Sequence, residues 1–337
     1  MVAGKHAAGP VNGGKPSGQL MNALLSLAER HGRLLLVLGL LAGTVWPDLA
    51  LALKPWIGEM IASLLFLAAL RVGPRQALGA SRDIGFSLAI VMMFQVLFPV
   101  ALVLTFLGFG WTGTLATALM LMAAAAPISG SPNLTIMTGH DPAPALRLLI
   151  IGTALLPLTV VPAFWLTPAL DNTAQVFAAA GRLLIIIIAS AGLAFIIRAR
   201  FLRDPGANAV RAIDGASAIA MAVVVVGLMS AVGPAIGSDP AGLSLNLAIA
   251  FGFNFVIQIS VAMLLRRVGK HRIAVPLAIV AGNRNIALFL TALPVAVTDP
   301  LLLFIGCYQI PMYLTPILLG RFYRGIVDTK AEDNVVL

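Results

Sequence analysis

Ten apolar stretches, each long enough to cross a bilayer and joined by short polar links, take up most of this 337-residue chain. A bilayer-crossing helix needs about 20 mostly apolar residues. The stretches run over 34–52, 54–70, 84–107, 112–137, 145–168, 174–197, 212–233, 242–265, 273–297 and 300–320. They are too long for membrane-barrel strands of about 10 residues. Composition agrees, with 60% hydrophobic and 10% charged residues, against about 45–50% and 25% in soluble domains. A soluble enzyme, a disordered chain and a nucleic-acid-binding domain are excluded. The sequence predicts an all-α polytopic membrane protein with the lipid bilayer as its partner. Its single thiol, Cys307, leaves no internal disulfide and no cysteine-rich metal site.

The basic residues cluster on one side. Lys5, Lys15, Arg30 and Arg33 precede the first stretch, and Arg71, Arg75 and Arg82 follow the second. Arg147 follows the fourth, Arg198, Arg200, Arg203 and Arg211 the sixth, and Arg266, Arg267, Lys270 and Arg272 the eighth. Arg321, Arg324 and Lys330 close the chain, whereas the opposite links hold Lys54 and the acids Asp48, Asp171, Asp239 and Asp299. The positive-inside rule puts both termini in the cytoplasm of an inner (plasma) membrane and requires an even number of spans. The net charge of +9 is then a topology signal rather than a polyanion site. Residues 1–32, rich in Gly, Pro and Ala, read as a disordered cytoplasmic tail, and 324–337 as a C-terminal tail. Gly39 and Gly43 form a small-xxx-small patch in the first stretch that reads as helix packing.

Two stretches are interrupted. Arg284 stands mid-span within Ala281-Gly282-Asn283-Arg284-Asn285. A guanidinium at that depth costs at least about 2.5–3.5 kcal/mol and is a functional residue by default. Gly and Asn are poor helix formers, so the helix unwinds here, with Asn285 placed to cap the half-helix beyond it. The other alternative for Arg284 is structural, a tie to carbonyls freed by the unwinding. The fourth stretch carries Pro127-Ile128-Ser129-Gly130-Ser131-Pro132-Asn133-Leu134-Thr135, where two prolines and a glycine break a second helix. One break lies in the first five spans and one in the second five, at corresponding places. This predicts two inverted repeats, 33–170 and 171–323, with broken, crossing helices 4 and 9 and a transport site at the midplane. Gln95, Asn254 and Gln258 either line that site or make interhelical bonds. No acid pair, metal motif or deep histidine supports an intramembrane enzyme.

These residues resemble the bile acid:sodium symporter superfamily. Pro127, Gly130 and Asn133 fit its Pro-Gly-Gly-x-x-Ser-Asn pattern, and Gly282, Asn285 and Leu288 fit its Glu-x-Gly-x-Gln-Asn-x-x-Leu. Thr138-Gly139-His140-Asp141, Leu155-Leu156-Pro157, and Phe94-Gln95 ahead of Pro99 fit others. The resemblance implies a panel domain of helices 1, 2, 6 and 7, a core domain of helices 3–5 and 8–10, and an organic anion bound between them. Its sodium ligands are replaced. Val280 stands for the family's glutamate, Arg284 for its glutamine and Pro132 for its serine, and Ala145–Ile150 offers no hydroxyl. Asn133 and Gln95 are the side chains left for sodium; no other cofactor is implied. Arg284 then acts as a tethered cation, so transport of a small organic anion (bile-acid-, keto-acid- or pantothenate-like) is facilitative, an exchange, or secondary active through coupling to another group. The alternatives are a sodium symporter using backbone ligands and an auxin-carrier-like exporter. The residues expected to contact substrate are Arg284, Asn133, Asn283, Asn285, Ser129, Ser131, Thr135, Gln95, Asn254 and Gln258; Pro127, Gly130, Pro132 and Gly282 form the breaks.

Overall fold

The computed structural model describes residues 16–79, 84–168, 170 and 172–327. Lys5, Lys15, Arg82, Asp171, Lys330 and most of the expected C-terminal tail lie outside these. Among the described residues there is no strand, and six helices are long and apolar enough to cross a membrane. Four more apolar helices are shorter, over Leu34–Val45, Thr114–Ala124, Ala143–Thr159 and His271–Gly282. This is the make-up of a polytopic helical membrane protein.

The chain opens with α1 (Pro16–Arg30), inside the segment expected to be disordered. Its Gly- and Pro-rich neighbourhood hides a helix that packs along a later one, α10 (Ala207–Leu228). Close approach explains it. Ala28 is buried, and a Cβ on Gly215 of α10 would lie 2.0 Å from the Leu25 carbonyl oxygen. Next comes α2 (Gly32–Val45), whose glycine patch meets the same α10. A Cβ on Gly39 or Gly43 would lie 2.6 Å from the Ala222 or Val226 carbonyl oxygen, so the patch joins two helices of one chain.

After α3 (Ile57–Gly79), residues 84–108 run through α4 (Ile84–Met92), a π turn (Met93–Leu97) and α5 (Phe98–Gly108). Then come α6 (Thr114–Ala124), α7 (Ser131–Met137), α8 (Ala143–Thr159), α9 (Thr173–Phe201) and α10. The chain ends with α11 (Pro240–Arg267), α12 (His271–Gly282), α13 (Leu302–Leu318) and α14 (Gly320–Val327). Helix α3 packs on α9 and α10, and α10 also packs on α2. A second set forms where α11 packs on α12 and α13, and α8 on α4 and α12.

Prolines shape this bundle by leaving carbonyls without their helical donor, and arginines take several of them. Pro74 cannot donate to the Leu70 carbonyl, and Gly73 beside it breaks α3 at φ 73°. The Arg198 Nη1 fills that vacancy at 2.9 Å. Arg182 donates to the Ala292 carbonyl at 3.3 Å, although no proline stands four residues beyond that alanine.

Candidate functional site

The two interruptions meet. Helix α6 stops at Ala124, the chain is irregular to Gly130, and α7 starts at Ser131. Pro132 therefore does not break the helix but lies in the first turn of α7, where its missing N–H is among the orphan donors anyway. Helix α12 stops at Gly282, and Asn283 is extended at φ −108°, ψ 92°. Asn285 makes no side-chain cap, contrary to expectation, because the next element is a 3-10 turn, Ile286–Thr291. The broken segments pair as an isolated antiparallel bridge, Pro127 opposite Arg284. The Ile128 N–H donates to the Asn283 carbonyl at 3.0 Å, and the Asn285 N–H to the Ala126 carbonyl at 2.8 Å. Each unwound segment thus satisfies the other's backbone, which apolar surroundings demand.

Arg284 is 2% exposed at this crossing. Its Nη2 donates to the Phe94 carbonyl at 2.5 Å and the Ala123 carbonyl at 3.3 Å. Prolines free both acceptors. Pro127 removes the helical donor to Ala123. In the π turn, Phe98 N–H turns back to Met93, and Pro99 has no N–H to offer Phe94. The Phe94 ring also lies 5.6 Å from the guanidinium carbon, a cation–π distance. The Arg284 Nε and Nη1 are buried without a hydrogen-bond partner. Among the described residues no carboxylate forms an ion pair with Arg284; the salt bridges are Lys54–Asp299, Arg71–Asp214 and Arg75–Asp204.

A cavity of about 40 Å³ opens beside this guanidinium. Ile61, Leu64 and Leu65 of α3 and Met221, Val224 and Leu228 of α10 wall one side. Ser129, Arg284, Asn285 and, from α13, Gln309 and Tyr313 bring the polar atoms. Of the ten expected contact residues, these three, Ser129, Arg284 and Asn285, line the cavity.

The others are placed elsewhere. Asn254, Gln258 and Asn283 form a buried lattice behind the break. The Asn254 Nδ2 donates to the Gly282 carbonyl at 2.6 Å, and Gln258 Nε2 to Asn254 Oδ1 at 2.5 Å. Asn283 Nδ2 donates to Gln258 Oε1 at 3.3 Å and to the Ile279 carbonyl at 2.9 Å. Thr315 joins through Asn283 Oδ1, and the Tyr323 hydroxyl donates to Gln258 Oε1 at 2.7 Å. Tyr308 bridges the lattice to the crossing, donating to the Gly282 carbonyl and accepting from the Arg284 N–H. The interhelical-bond alternative therefore describes Asn254 and Gln258. Gln95 is likewise buried, and its Oε1 accepts from Thr159 Oγ1 at 2.8 Å. Ser131 and Thr135 bond carbonyls of their own turn, Ile128 and Ser131. Asn133 is on the exposed face of α7, opposite its buried Leu134 and Thr135. Asn133 and Gln95 are thus not brought together as a sodium pair, and among the described residues no group of three His, Cys, Asp or Glu side chains could hold a metal.

No family model matches the chain, and no curated protein matches it. The site itself carries the functional reading. Sequence reasoning missed Phe94, Gln309, Tyr308 and Tyr313. Phe94 sits five residues before Pro99, a spacing that flags its carbonyl once a π turn is considered; the tyrosines give no such signal.

Two neighbouring positions test this packing. Thr159→Val leaves the buried Gln95 Oε1 without its donor, which costs about 1–3 kcal/mol; thermal unfolding drops by several degrees, and Thr159→Ser restores most of it. His140 follows Gly139, a positive-φ turn residue at 83°. The His140 Nε2 is buried without a partner, and burial holds its pKa below 6.5. The unfolded chain therefore takes up this proton first as pH falls below about 6.5, and folding stability declines from there down through the folded pKa. His140→Gln shows a smaller fall in melting temperature between neutral and mildly acidic buffer than the parent.

Proposed function

We propose that this chain is a secondary transporter that moves a small organic anion by alternating access. It is not an enzyme, and it works with ten membrane-crossing helices in two inverted five-helix repeats and both termini in the cytoplasm of the inner membrane. One observation carries the reading: a buried guanidinium, with no carboxylate partner among the described residues and with unpartnered Nε and Nη1, at the crossing of two interrupted helices. A buried charge of this kind is retained against its desolvation cost where it meets a ligand. Paired broken helices in corresponding places mark transporter sites.

The packing supports the same reading. The cavity lies where α3 and α10, from the set that includes α2 and α9, meet the crossing segments. At about 40 Å³ it has room for about three waters of roughly 10–15 Å³ each. An organic anion enters when α3 and α10 move away from the crossing, its carboxylate accepting from Arg284. Binding energy thereby couples to domain movement.

Val280, where a sodium-coupled relative of the resembling superfamily carries a carboxylate, is buried among apolar neighbours. The Arg284 charge replaces the missing cation and stays behind when substrate leaves. Transport is therefore facilitative or an exchange.

The test is uptake of labelled monocarboxylates, dicarboxylates and sulfonates into proteoliposomes, each in sodium and in potassium buffer. At least one anion is taken up saturably and equally in both salts. Strict dependence on sodium defeats the tethered-cation reading; the absence of flux for every class defeats transport of organic anions.

A further inference from the structure

The guanidinium at the crossing needs a charge partner even while no organic anion is bound. Arginine cannot shed its proton, and a buried ion without a counter-charge is among the costliest groups in a protein interior. Arg284 is 2% exposed. Its Nη2 meets two neutral carbonyls, Phe94 and Ala123. Its Nε and Nη1 meet nothing. Among the described residues no carboxylate pairs with it.

The cavity beside it suits an anion, and a small one. Its lining contains no Asp or Glu. The Ser129 hydroxyl, the Asn285 amide and the Tyr313 hydroxyl join the guanidinium there as donors. None of these three side chains bonds another described residue. Polar side chains behind the break are already engaged, Gln95 with Thr159 and Asn254, Gln258 and Asn283 with one another. The rest of the wall is apolar, with Leu64, Leu65, Val224 and Met312, so charge interactions are little screened. At about 40 Å³ the space equals about three waters. A halide ion with a water beside it fits as the helices stand, whereas a tetrahedral oxyanion of five heavy atoms exceeds it.

We propose that this cavity binds chloride as the counter-ion of Arg284, with Ser129, Asn285 and Tyr313 as its further donors. Hydrogen bonds to an ion are the strong ones, and a fixed positive charge beside this donor set repels cations. Chloride binding rests on the charge, the donors and the volume alone. A consequence follows that rests on the transport reading: chloride and the carboxylate of an organic anion compete for one guanidinium. One leaves as the other arrives, and the buried charge keeps a partner through the cycle.

The test uses the full-length protein, purified in detergent without chloride. Potassium chloride is titrated in against potassium sulfate at constant ionic strength. Melting temperature and the linewidth of the chloride-35 magnetic resonance are read together. In the parent, chloride raises the melting temperature saturably and its resonance broadens. Arg284→Met shows neither response. Tyr313→Phe and Ser129→Ala each need about tenfold more chloride for the same rise, the loss of one hydrogen bond to an ion. Without chloride both melt like the parent, because neither hydroxyl bonds the protein. A parent with no saturable response overturns the site, and so does an Arg284→Met protein that responds like the parent. Should that variant fail to fold, the hydroxyl variants decide: unchanged chloride midpoints in both overturn the site. Proteoliposome uptake separates the two claims. Chloride binding with no flux of any organic anion keeps the site and defeats the transport reading. Saturable organic-anion flux in a protein without a chloride response defeats the site and keeps the transport reading. Flux that chloride inhibits competitively supports both.

Discussion

Arg284→Met removes the response to organic anions and leaves the fold standing. The anion loses a charge-assisted hydrogen bond of about 1.5–3 kcal/mol, so affinity falls by about tenfold or more and flux with it. Stability moves differently. The parent buries a guanidinium whose Nε and Nη1 have no partner, and unsatisfied buried donors cost about 1–3 kcal/mol each. Methionine fills a similar volume without charge, and replacing a buried ion by an apolar side chain is often neutral or stabilising. Against this, the Phe94 and Ala123 carbonyls lose their donor. The two effects oppose each other, and the melting temperature stays within a few degrees of the parent's. Arg284→Lys keeps a charge without the planar fork and recovers part of the anion response. Measuring anion-dependent thermal shift and proteoliposome flux side by side decides the matter. A methionine variant that transports normally but unfolds early identifies Arg284 as a clamp for carbonyls and nothing more.

Gly282→Ala is the most damaging small change to the fold. A Cβ at this position would lie 2.3 Å from Gln258 Cγ and 2.7 Å from the Asn254 carbonyl oxygen. The second contact is backbone of α11, so relief means shifting a helix, and overpacking of this kind costs about 1–3 kcal/mol. The same shift disturbs the Asn254 and Tyr308 bonds to the Gly282 carbonyl. Melting falls by several degrees, at about 2–4 °C per kcal/mol for a chain of a few hundred residues. Gly130 in the other break provides the contrast. It has a helical φ of −77°, and nothing lies within 4 Å of an added Cβ. Gly130→Ala therefore melts like the parent. Equal losses at both positions would mean that the breaks need glycine for backbone freedom rather than for close packing.

That contrast shows where the sequence is informative. Gly130 and Gly282 look alike as residues that interrupt an apolar run, and both do sit in interruptions. Which of them faces another helix depends on α11, whose Asn254 and Gln258 are remote in the chain. Asn283, Arg284 and Asn285 look equally like site residues. The irregular backbone turns Asn283 into the lattice with Gln258 and Thr315, and Arg284 and Asn285 towards the cavity. Asn133 fails for the same reason in reverse: a seven-residue helix puts it on the outer face.

By itself the sequence determined the membrane class, the positions of both interruptions and the isolation of Arg284, because apolar length, proline and charge act locally. It also marked which carbonyls lose a donor, since proline at position i frees the carbonyl at i−4: Leu70 from Pro74 and Ala123 from Pro127. Pro99 points in that way to Gln95, and only the π turn moves the vacancy to Phe94. Tertiary structure alone decided what fills these vacancies. Arg198 reaches Leu70 across 128 residues, and Arg284 reaches Phe94 and Ala123 across 190 and 161. Hydrogen bonds of that span depend on how whole helices pack, and no local rule of residue spacing contains it.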